Sequence, residues 1–467
     1  MKSIYPFLFL SLGILSCRKS NTTSATESVT VTTPSLPSGN KFVSRSPIYS
    51  APNNTVGQIK NGYYFPGFYN ANKEWLQYCV FGPKLNGTGS MNQFAYDATG
   101  DAHFDFNKDG ILDYFSFLQN FYNPPAGSQG GKYMLIKNLL GETNQEKVYT
   151  NSVTRWSVRL EVNDVNGDGT DELIQGSSDG HGLSDGSRGL ESPLKIIYFN
   201  PEGTFTVKEI GSAMGIHDFT SGDIDNDGDI DILVWRYNTS IGDSRPILFI
   251  NDGKSNFTQD MANNRFNGID QILAIYGQYV VTAVELFDLN KDGYLDIITG
   301  QNIGQAQSSG PDYRVPNTRV YWGNSKGTFN LTNSFADLPN ISITNTSVPI
   351  SVLGFSFVDY EKDGDFDILT VSTPQYNGFY LQLYENLGDG TFKDVTTSKI
   401  TGFSQINVVG GTSNNTFPNF YNIRLYDVDK DGDYDLIPDN LAIPPSINIV
   451  TNMYWENVNG SYFRRNF

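Results

Sequence analysis

The chain has 467 residues, a formal net charge of −18, and 50 Asp and Glu against 32 Lys and Arg. That balance excludes the basic footprint a nucleic-acid-binding protein needs, while 38% hydrophobic content is enough to bury a large core. Half of the acidic residues, 25 of 50, fall in six nine-residue segments, so the charge is a local feature.

The N-terminus reads Met1-Lys2, an apolar run from Ile4 to Leu15, and then Ile14-Leu-Ser-Cys17. The run is too short for a mature membrane span and has the form of a signal-peptide core. Its ending resembles the lipobox of bacterial lipoproteins, although Ile14 at −3 and Leu15 at −2 depart from the commonest form. The resemblance implies that residues 1–17 are a signal whose Cys17 is acylated; an ordinary secretory signal with an incidental cysteine is the alternative. Arg18 stands where inner-membrane retention often uses Asp, which points to the outer membrane or cell surface; a secreted or periplasmic protein is the alternative. Residues 18–40 are a Ser/Thr/Pro-rich tether with no core-forming pattern. The other cysteine, Cys79, reads as a small buried hydrophobe.

Residues 41–94 contain the strand-like Trp75-Leu-Gln-Tyr-Cys-Val-Phe81 and no acidic segment. From residue 105 one pattern recurs six times, with Gly always at position 6. Positions 1, 3, 5, 7 and 9 are Asp105, Asn107, Asp109, Ile111 and Asp113 in the first copy, and Asp164, Asn166, Asp168, Thr170 and Glu172 in the second. The third has Asp223, Asp225, Asp227, Asp229 and Asp231; the fourth has Asp288, Asn290, Asp292, Tyr294 and Asp296. The fifth has Asp359, Glu361, Asp363, Asp365 and Asp367; the sixth has Asp427, Asp429, Asp431, Asp433 and Asp435.

Carboxylates this dense repel one another unless a cation sits among them. Alternate side chains can point inward when the backbone wraps tightly, and hard oxygen donors in a flexible loop suit calcium. The expectation is about six structural calcium sites, with side chains 1, 3, 5 and 9 and the position-7 carbonyl as ligands. Six calcium ions would add +12 and bring −18 to −6. An EF-hand needs Glu at position 12; that position is Ser116, Gln175, Val234, Thr299, Thr370 or Pro438. One such copy would suit an Asp-Gly turn that binds nothing, but six copies with acids at the same offsets point to metal.

The segments start at 105, 164, 223, 288, 359 and 427, a near-regular period that marks a repeat architecture. Each interval holds an apolar strand before the loop, as in Val352–Val358, and a second after it, as in Ile368-Leu-Thr-Val371. A third strand such as Phe379–Tyr384 and a fourth beginning near Phe392 follow. The third and fourth are joined by Asn/Gly turns that re-enter on an aromatic: Asn200–Phe205, Gly323–Phe329, Asn386–Phe392 and Asn457–Phe463. No segment of the repeats has a long helical period. Four antiparallel strands make one propeller blade, and blades bury their faces by stacking around an axis.

These loops and Gly-x-Phe turns resemble the FG-GAP or VCBS repeats of bacterial surface proteins and integrin α-subunit propellers, over roughly residues 95–467. Glu172, Glu361 and the Asn at position 3 of loops 1, 2 and 4 depart from the all-Asp form. The fold class expected is all-β: a β-propeller over residues 41–467, seven-bladed with 41–94 as a degenerate blade lacking a calcium loop. Six blades plus an N-terminal strand segment is the alternative.

In such a blade the calcium loop and the third-to-fourth turn share one face, and the long, irregular connections leave by the other. Binding usually lives in variable loops on a rigid scaffold. Phe121, Tyr122, His181, Arg188, Tyr237, Tyr313, Arg314 and Tyr376 are the candidates there, of types that suit sugar stacking or a protein contact. The expected partner is a glycan or a cell-surface protein, bound by a non-catalytic monomer that meets the membrane only through its lipid anchor. An enzyme is the alternative. Gly176-Ser-Ser-Asp-Gly180 matches the nucleophile-elbow pattern, but a Gly-rich loop follows where that elbow needs a helix. Some calcium-bearing propellers with related loops are polysaccharide lyases, which would direct attention to His181 with Arg188.

Overall fold

The β-branched and aromatic runs flanking each acidic loop pair with one another across it, so every loop is the corner of a hairpin. This computed structural model describes residues 157–177, 192–214, 216–236, 245–261, 265–276, 281–301, 318–339, 350–374, 379–402, 405–406, 419–426, 429, 431–442 and 453–466, and before them the strands between 50 and 149 with residues 106–109. The residue before each loop pairs with loop position 9: Phe104 with Asp113, Asn163 with Glu172, Gly222 with Asp231, Phe287 with Asp296, Val358 with Asp367 and Tyr426 with Asp435.

The second repeat shows the unit, four antiparallel strands in sequence order: Ser157–Asn163, Glu172–Ser177, Ser192–Phe199 and Phe205–Met214. The third follows with Ile216–Gly222, Asp231–Arg236, Pro246–Ile250 and Thr258–Met261. The fourth has Val281–Phe287, Asp296–Gln301, Arg319–Tyr321 and Phe335–Asp337. The fifth has Ile350–Val358, Asp367–Pro374, Phe379–Asn386 and Phe392–Asp394. The sixth has Asn419–Tyr426, Asp435–Ala442, Met453–Asn457 and Tyr462–Asn466. The first repeat pairs Tyr96–Phe104, Asp113–Gln119, Lys132–Lys137 and Gln145–Tyr149 in the same order. The protein is therefore all-β, with four-stranded antiparallel sheets consistent with a propeller-like fold.

The first strands of five repeats skip one residue at the same distance before their loops. The skips fall between Ala98 and Gly100, Ser157 and Arg159, Ile216 and Asp218, Val281 and Ala283, and Val352 and Gly354. A bulge of this kind bends and twists its strand. Its recurrence gives successive sheets the same curvature.

The core lies between sheets rather than within them. Phe104, Phe106 and Phe115 of the first repeat pack with Leu160, Leu173 and Ile197 of the second. Ile174 and Leu194 pack with Phe219, Ile232 and Val234 of the third. Trp235, fully buried, belongs with Val284, Leu286 and Tyr321 of the fourth. The aromatic after each Gly turn packs on the preceding repeat: Phe205 lies edge-on to Phe115 at 5.9 Å, and Phe392 stacks on Trp322 at 6.4 Å.

Two features add to this plan. Short helices occupy Ile269–Tyr276 and Thr396–Lys399. The first brings Ile269 and Ile272, one turn apart, onto the core between repeats three and four; eight residues are too few to show a period in the sequence. Further, the described strands before Tyr96 do not form a four-stranded unit of their own. Phe81–Gly82, Tyr63–Phe65 and Gln58–Lys60 extend the sheet of the first repeat, and Ser50–Ala51, Trp75–Gln77 and Gly67–Tyr69 form a separate three-stranded sheet. At two or three residues each, these strands are too short to present a face like those of the later repeats. At the other end, Asp435–Ala442 lies beside Tyr96–Phe104, the relation that Glu172–Ser177 has to Ile216–Gly222.

Candidate metal-binding loops

In loops 2 to 5 the first carboxylate sets the wrap. In loop 3, Asp223 accepts from the backbone N–H of Asp227 on Oδ1 (3.0 Å) and of Gly228 on Oδ2 (2.9 Å). Asp164, Asp288 and Asp359 do the same at positions 5 and 6 of their loops, at 2.7–3.1 Å. The wrap requires a left-handed residue at position 4, held by Lys108, Asn226, Lys291 and Lys362 at φ 56–63°. The position-5 carboxylate then accepts from the position-7 N–H, as Asp227 does from Asp229 (3.0 Å) and Asp363 from Asp365 (2.8 Å).

Position 9 binds backbone donors as well, a role the sequence did not show beside the expected one of ligand. Asp231 is fully buried, and both oxygens are engaged by backbone donors: Ile224 N–H of its own loop (3.1 Å) and Asn251 N–H at the end of the third strand (2.9 Å). Asp296 repeats this with Leu289 (2.9 Å) and Gly323 (2.8 Å), and Asp367 with Tyr360 (3.3 Å) and Asn386 (2.9 Å). Asp435 accepts from Asn457 N–H at 2.8 Å. The longer Glu172 turns instead to Val165 N–H (3.0 Å) and Asn166 Nδ2 (2.9 Å). Asp231, Asp296 and Asp367 thus staple the calcium-type loop to the turn between strands three and four, which places both on one face. Burial is the main cause that raises these carboxyls, to about 7 for Asp231 and about 8 for Glu172, Asp296 and Asp367.

Whether the loops suit a cation is decided at position 3. Where it is Asn, the amide satisfies a neighbouring carboxylate: Asn107 Nδ2 donates to Asp109 (3.0 Å) and Asn290 Nδ2 to Asp292 (3.2 Å). Where it is acidic, the position-3 side chain has no amide to donate. Asp225 Oδ1, Glu361 Oε2 and, at position 7 of loop 6, Asp433 Oδ1 are buried oxygens with no hydrogen-bond partner. Oxygens of Asp223, Asp225 and Asp227 lie within 4.8 Å of one another. Burial, then Asp431, raises Asp433 to about 6, and burial, then Asp227, raises Asp225. Converging carboxylates, one of whose buried oxygens has no donor, fit a hard divalent cation such as calcium. Asp223, Asp225 and Asp227 would hold it in loop 3; its chemistry there is charge neutralisation of the corner.

Several contacts were not visible in the sequence. Asn251 and Asn386, readable only as turn formers, bridge neighbouring repeats. Arg265 donates from Nη2 to Asp225 Oδ2 (3.0 Å), from Nε to Asp260 (3.0 Å) and from Nη1 to the Lys326 carbonyl (3.0 Å), tying loop 3 to the fourth repeat. Gly176, first residue of the elbow-like motif, lies within the strand Glu172–Ser177, where an added Cβ would stand 2.6 Å from Phe219 Cδ1. Packing against the next repeat accounts for that glycine. Ser178, Cys17, the loop residues Asp105, Ile111 and Asp427, and all eight ligand candidates (Phe121, Tyr122, His181, Arg188, Tyr237, Tyr313, Arg314 and Tyr376) lie outside the described residues. Among the described residues no helix is long and apolar enough to cross a membrane.

Repeated four-stranded antiparallel sheets with an acidic loop at each first corner define a repeat-built β protein. Residues 164–234, from the start of loop 2 past the end of loop 3, match the family model described as FG-GAP-like repeat. A search of curated protein sequences gave no match. Among solved structures, the V. cholerae biofilm matrix protein Bap1 is similar at 14% identity and a TM-score of 0.31, over 65% of this chain and 40% of that one. This chain thus spans well under half of that protein. The rhamnogalacturonan lyase YesW is similar at 11% identity and TM-score 0.34, over 86% of this chain and 84% of that one. A Bacillus licheniformis rhamnogalacturonan lyase has 12% identity and TM-score 0.33, over 92% and 85%. Likenesses at these scores assign no activity.

Proposed function

We propose that the chain is an exported, calcium-stabilised β-propeller that binds a glycan or a cell-surface protein without transforming it. The observation that supports calcium most directly is loop 3, where three carboxylates converge and Asp225 Oδ1 is buried without a donor. On this reading the blades number six, since the second strand of the last repeat lies against the first strand of the first, as between successive repeats. Residues 41–94 then form a strand segment attached to the first blade, residues 18–40 a tether, and Cys17 the lipid anchor. Calcium fixes each corner, the position-9 acid ties the corner to the opposite hairpin turn, and the connections at the other end of each blade are free to vary. A site held at 100 times its dissociation constant would add roughly 2.7 kcal/mol to stability.

The test is binding of residues 41–467, in millimolar calcium, to a broad glycan and polysaccharide array, followed by incubation of any hit to look for cleavage. A specific hit left uncleaved supports the reading. Cleavage overturns its non-catalytic part. A blank array with folded protein turns the search to protein partners by pull-down from the cell envelope. Calcium itself is tested by melting with and without EDTA; an unchanged melt after verified metal removal overturns it.

A further inference from the structure

Two lysines at loop position 4 reach the loop of the next repeat. Lys291 of loop 4 crosses to loop 5, where its Nζ donates to the Gly364 carbonyl and to Asp365 Oδ1, the latter at 2.9 Å. Lys108 of loop 1 crosses to loop 2 in the same way: its Nζ stands 3.7 Å from where a Cβ on Gly169 would sit, as Lys291 Nζ does at Gly364. Loops 3 and 5 carry five acids each, and each meets a cation from outside the loop, Arg265 and Lys291. Position 4 is left-handed at both Lys108 and Lys291.

We propose that Lys291 is a resident counter-ion of the next repeat's loop, which holds loop 5 together without metal and which calcium must displace. The inference rests on the calcium reading above. A divalent ion among Asp359, Glu361 and Asp363 would stand beside the ammonium that bonds Gly364 and Asp365, and two cations so close repel. Calcium entry therefore releases a lysine that tied one repeat to the next, exchanging an inter-repeat bond for a corner held by metal.

The experiment is calcium titration by calorimetry of the full chain, together with melting in EDTA and in millimolar calcium, for Lys291→Met and, as a control outside the loops, Lys393→Met. The loop variant should tighten one site about five- to tenfold, the size expected on removing one partly exposed charge from beside a divalent ion. It should also melt lower than wild type in EDTA but not in calcium, and the control should do neither. Lys291→Gln, which keeps a donor without the charge, should tighten the site too and settles the matter if Lys291→Met fails to fold. Unchanged affinity, or equal loss of melting temperature with and without calcium, would make Lys291 an ordinary strut and overturn the proposal. If wild type takes up no calcium, the calcium reading itself fails, and this inference with it.

Discussion

Asn386 donates from Nδ2 to the backbone carbonyl of Leu289, 97 residues earlier and one repeat away, at 3.2 Å, while its backbone N–H binds Asp367 of its own repeat. Asn251 stands in the same relation to Val165 (2.7 Å) and Asp231 (2.9 Å), and both amides also reach a carbonyl of their own loop, Phe366 or Ile230. One side chain thus joins two calcium-type corners through buried backbone carbonyls. Asn386→Ala or Asn251→Ala should cost about 1–3 kcal/mol, the penalty of leaving buried acceptors unsatisfied. Asn200→Ala, in an exposed turn whose amide meets only Thr204, should cost far less. Urea denaturation of the three variants checks the ranking; equal losses would mean the bracket does not bear on stability.

A second prediction concerns Arg159. It ion-pairs Glu161 (2.6 Å), Asp218 (3.1 Å) and Glu285 (2.9 Å), acids from the first strands of three successive repeats. Ser221 donates to Glu161 (2.6 Å) and Val284 N–H to Asp218 (2.9 Å), so the acids are held from several sides. Arg159→Met would leave three buried carboxylates without their shared cation, a loss of about 3–5 kcal/mol. Arg159→Lys, which keeps the charge, should recover part of the loss. A Lys variant no better than the Met variant would argue that packing on Phe219, not charge, is what Arg159 supplies.

The repeat, its strand order and the corner loops were legible because each copy carries the same chemistry at the same offsets. Loop position 9 was legible as an acid but not as a staple, since its two donors are backbone N–H groups, which any sequence contains. Inter-repeat contacts such as Lys291 with Gly364 were invisible for a related reason: nothing local marks which neighbour a side chain will meet. The helix Ile269–Tyr276 was hidden by its brevity. The short pairings of Trp75–Gln77 and its neighbours hid the fate of the N-terminal segment, whose apolar run alone resembles a blade strand.

The position-9 acids give a pH dependence with a definite sign. Burial raises Glu172, Asp296 and Asp367 to about 8 and Asp231 to about 7, against roughly 4 in an unfolded chain. A carboxyl raised on folding contributes stability that is complete below the unfolded value and is lost as pH rises through the folded one. In EDTA the melting temperature should therefore fall from pH 5 to pH 8. Calcium favours the ionised loops, so its affinity should rise over the same interval and offset the fall. A metal-free melt that rises toward pH 8 would refute the assignment.

Packing between repeats makes its own prediction at two glycines. Gly176 and Gly300 stand at the same distance beyond their loops, and a Cβ there would lie 2.6 Å from Phe219 and 2.5 Å from Val352 of the following repeat. Both neighbours are buried side chains with no room to retreat. Gly176→Ala and Gly300→Ala should each cost about 1–3 kcal/mol by overpacking. Combining Gly176→Ala with Phe219→Leu should recover part of that loss. A double variant no better than the sum of the two would place the strain elsewhere.

The two kinds of acid in loop 3 can be told apart by substitutions that change charge but hardly change shape. Asp231→Asn would turn an amide NH₂ toward one of two backbone donors, Ile224 N–H or Asn251 N–H, whichever oxygen it replaces. That clash is independent of metal, so the variant should melt lower in EDTA and in calcium alike, by about 1–3 kcal/mol of stability. Asp225→Asn keeps an acceptor for Arg265 while removing one of three crowded negative charges. Without calcium it should be neutral or mildly stabilising, since Asp223 and Asp227 lose a repulsive neighbour. With calcium it should lose most of the stabilisation that wild type gains, because the oxygen left buried without a donor is a ligand only when something positive faces it. Melting of both variants with and without calcium distinguishes the roles. If Asp225→Asn gains as much from calcium as wild type, loop 3 is a turn that crowds its acids without holding an ion.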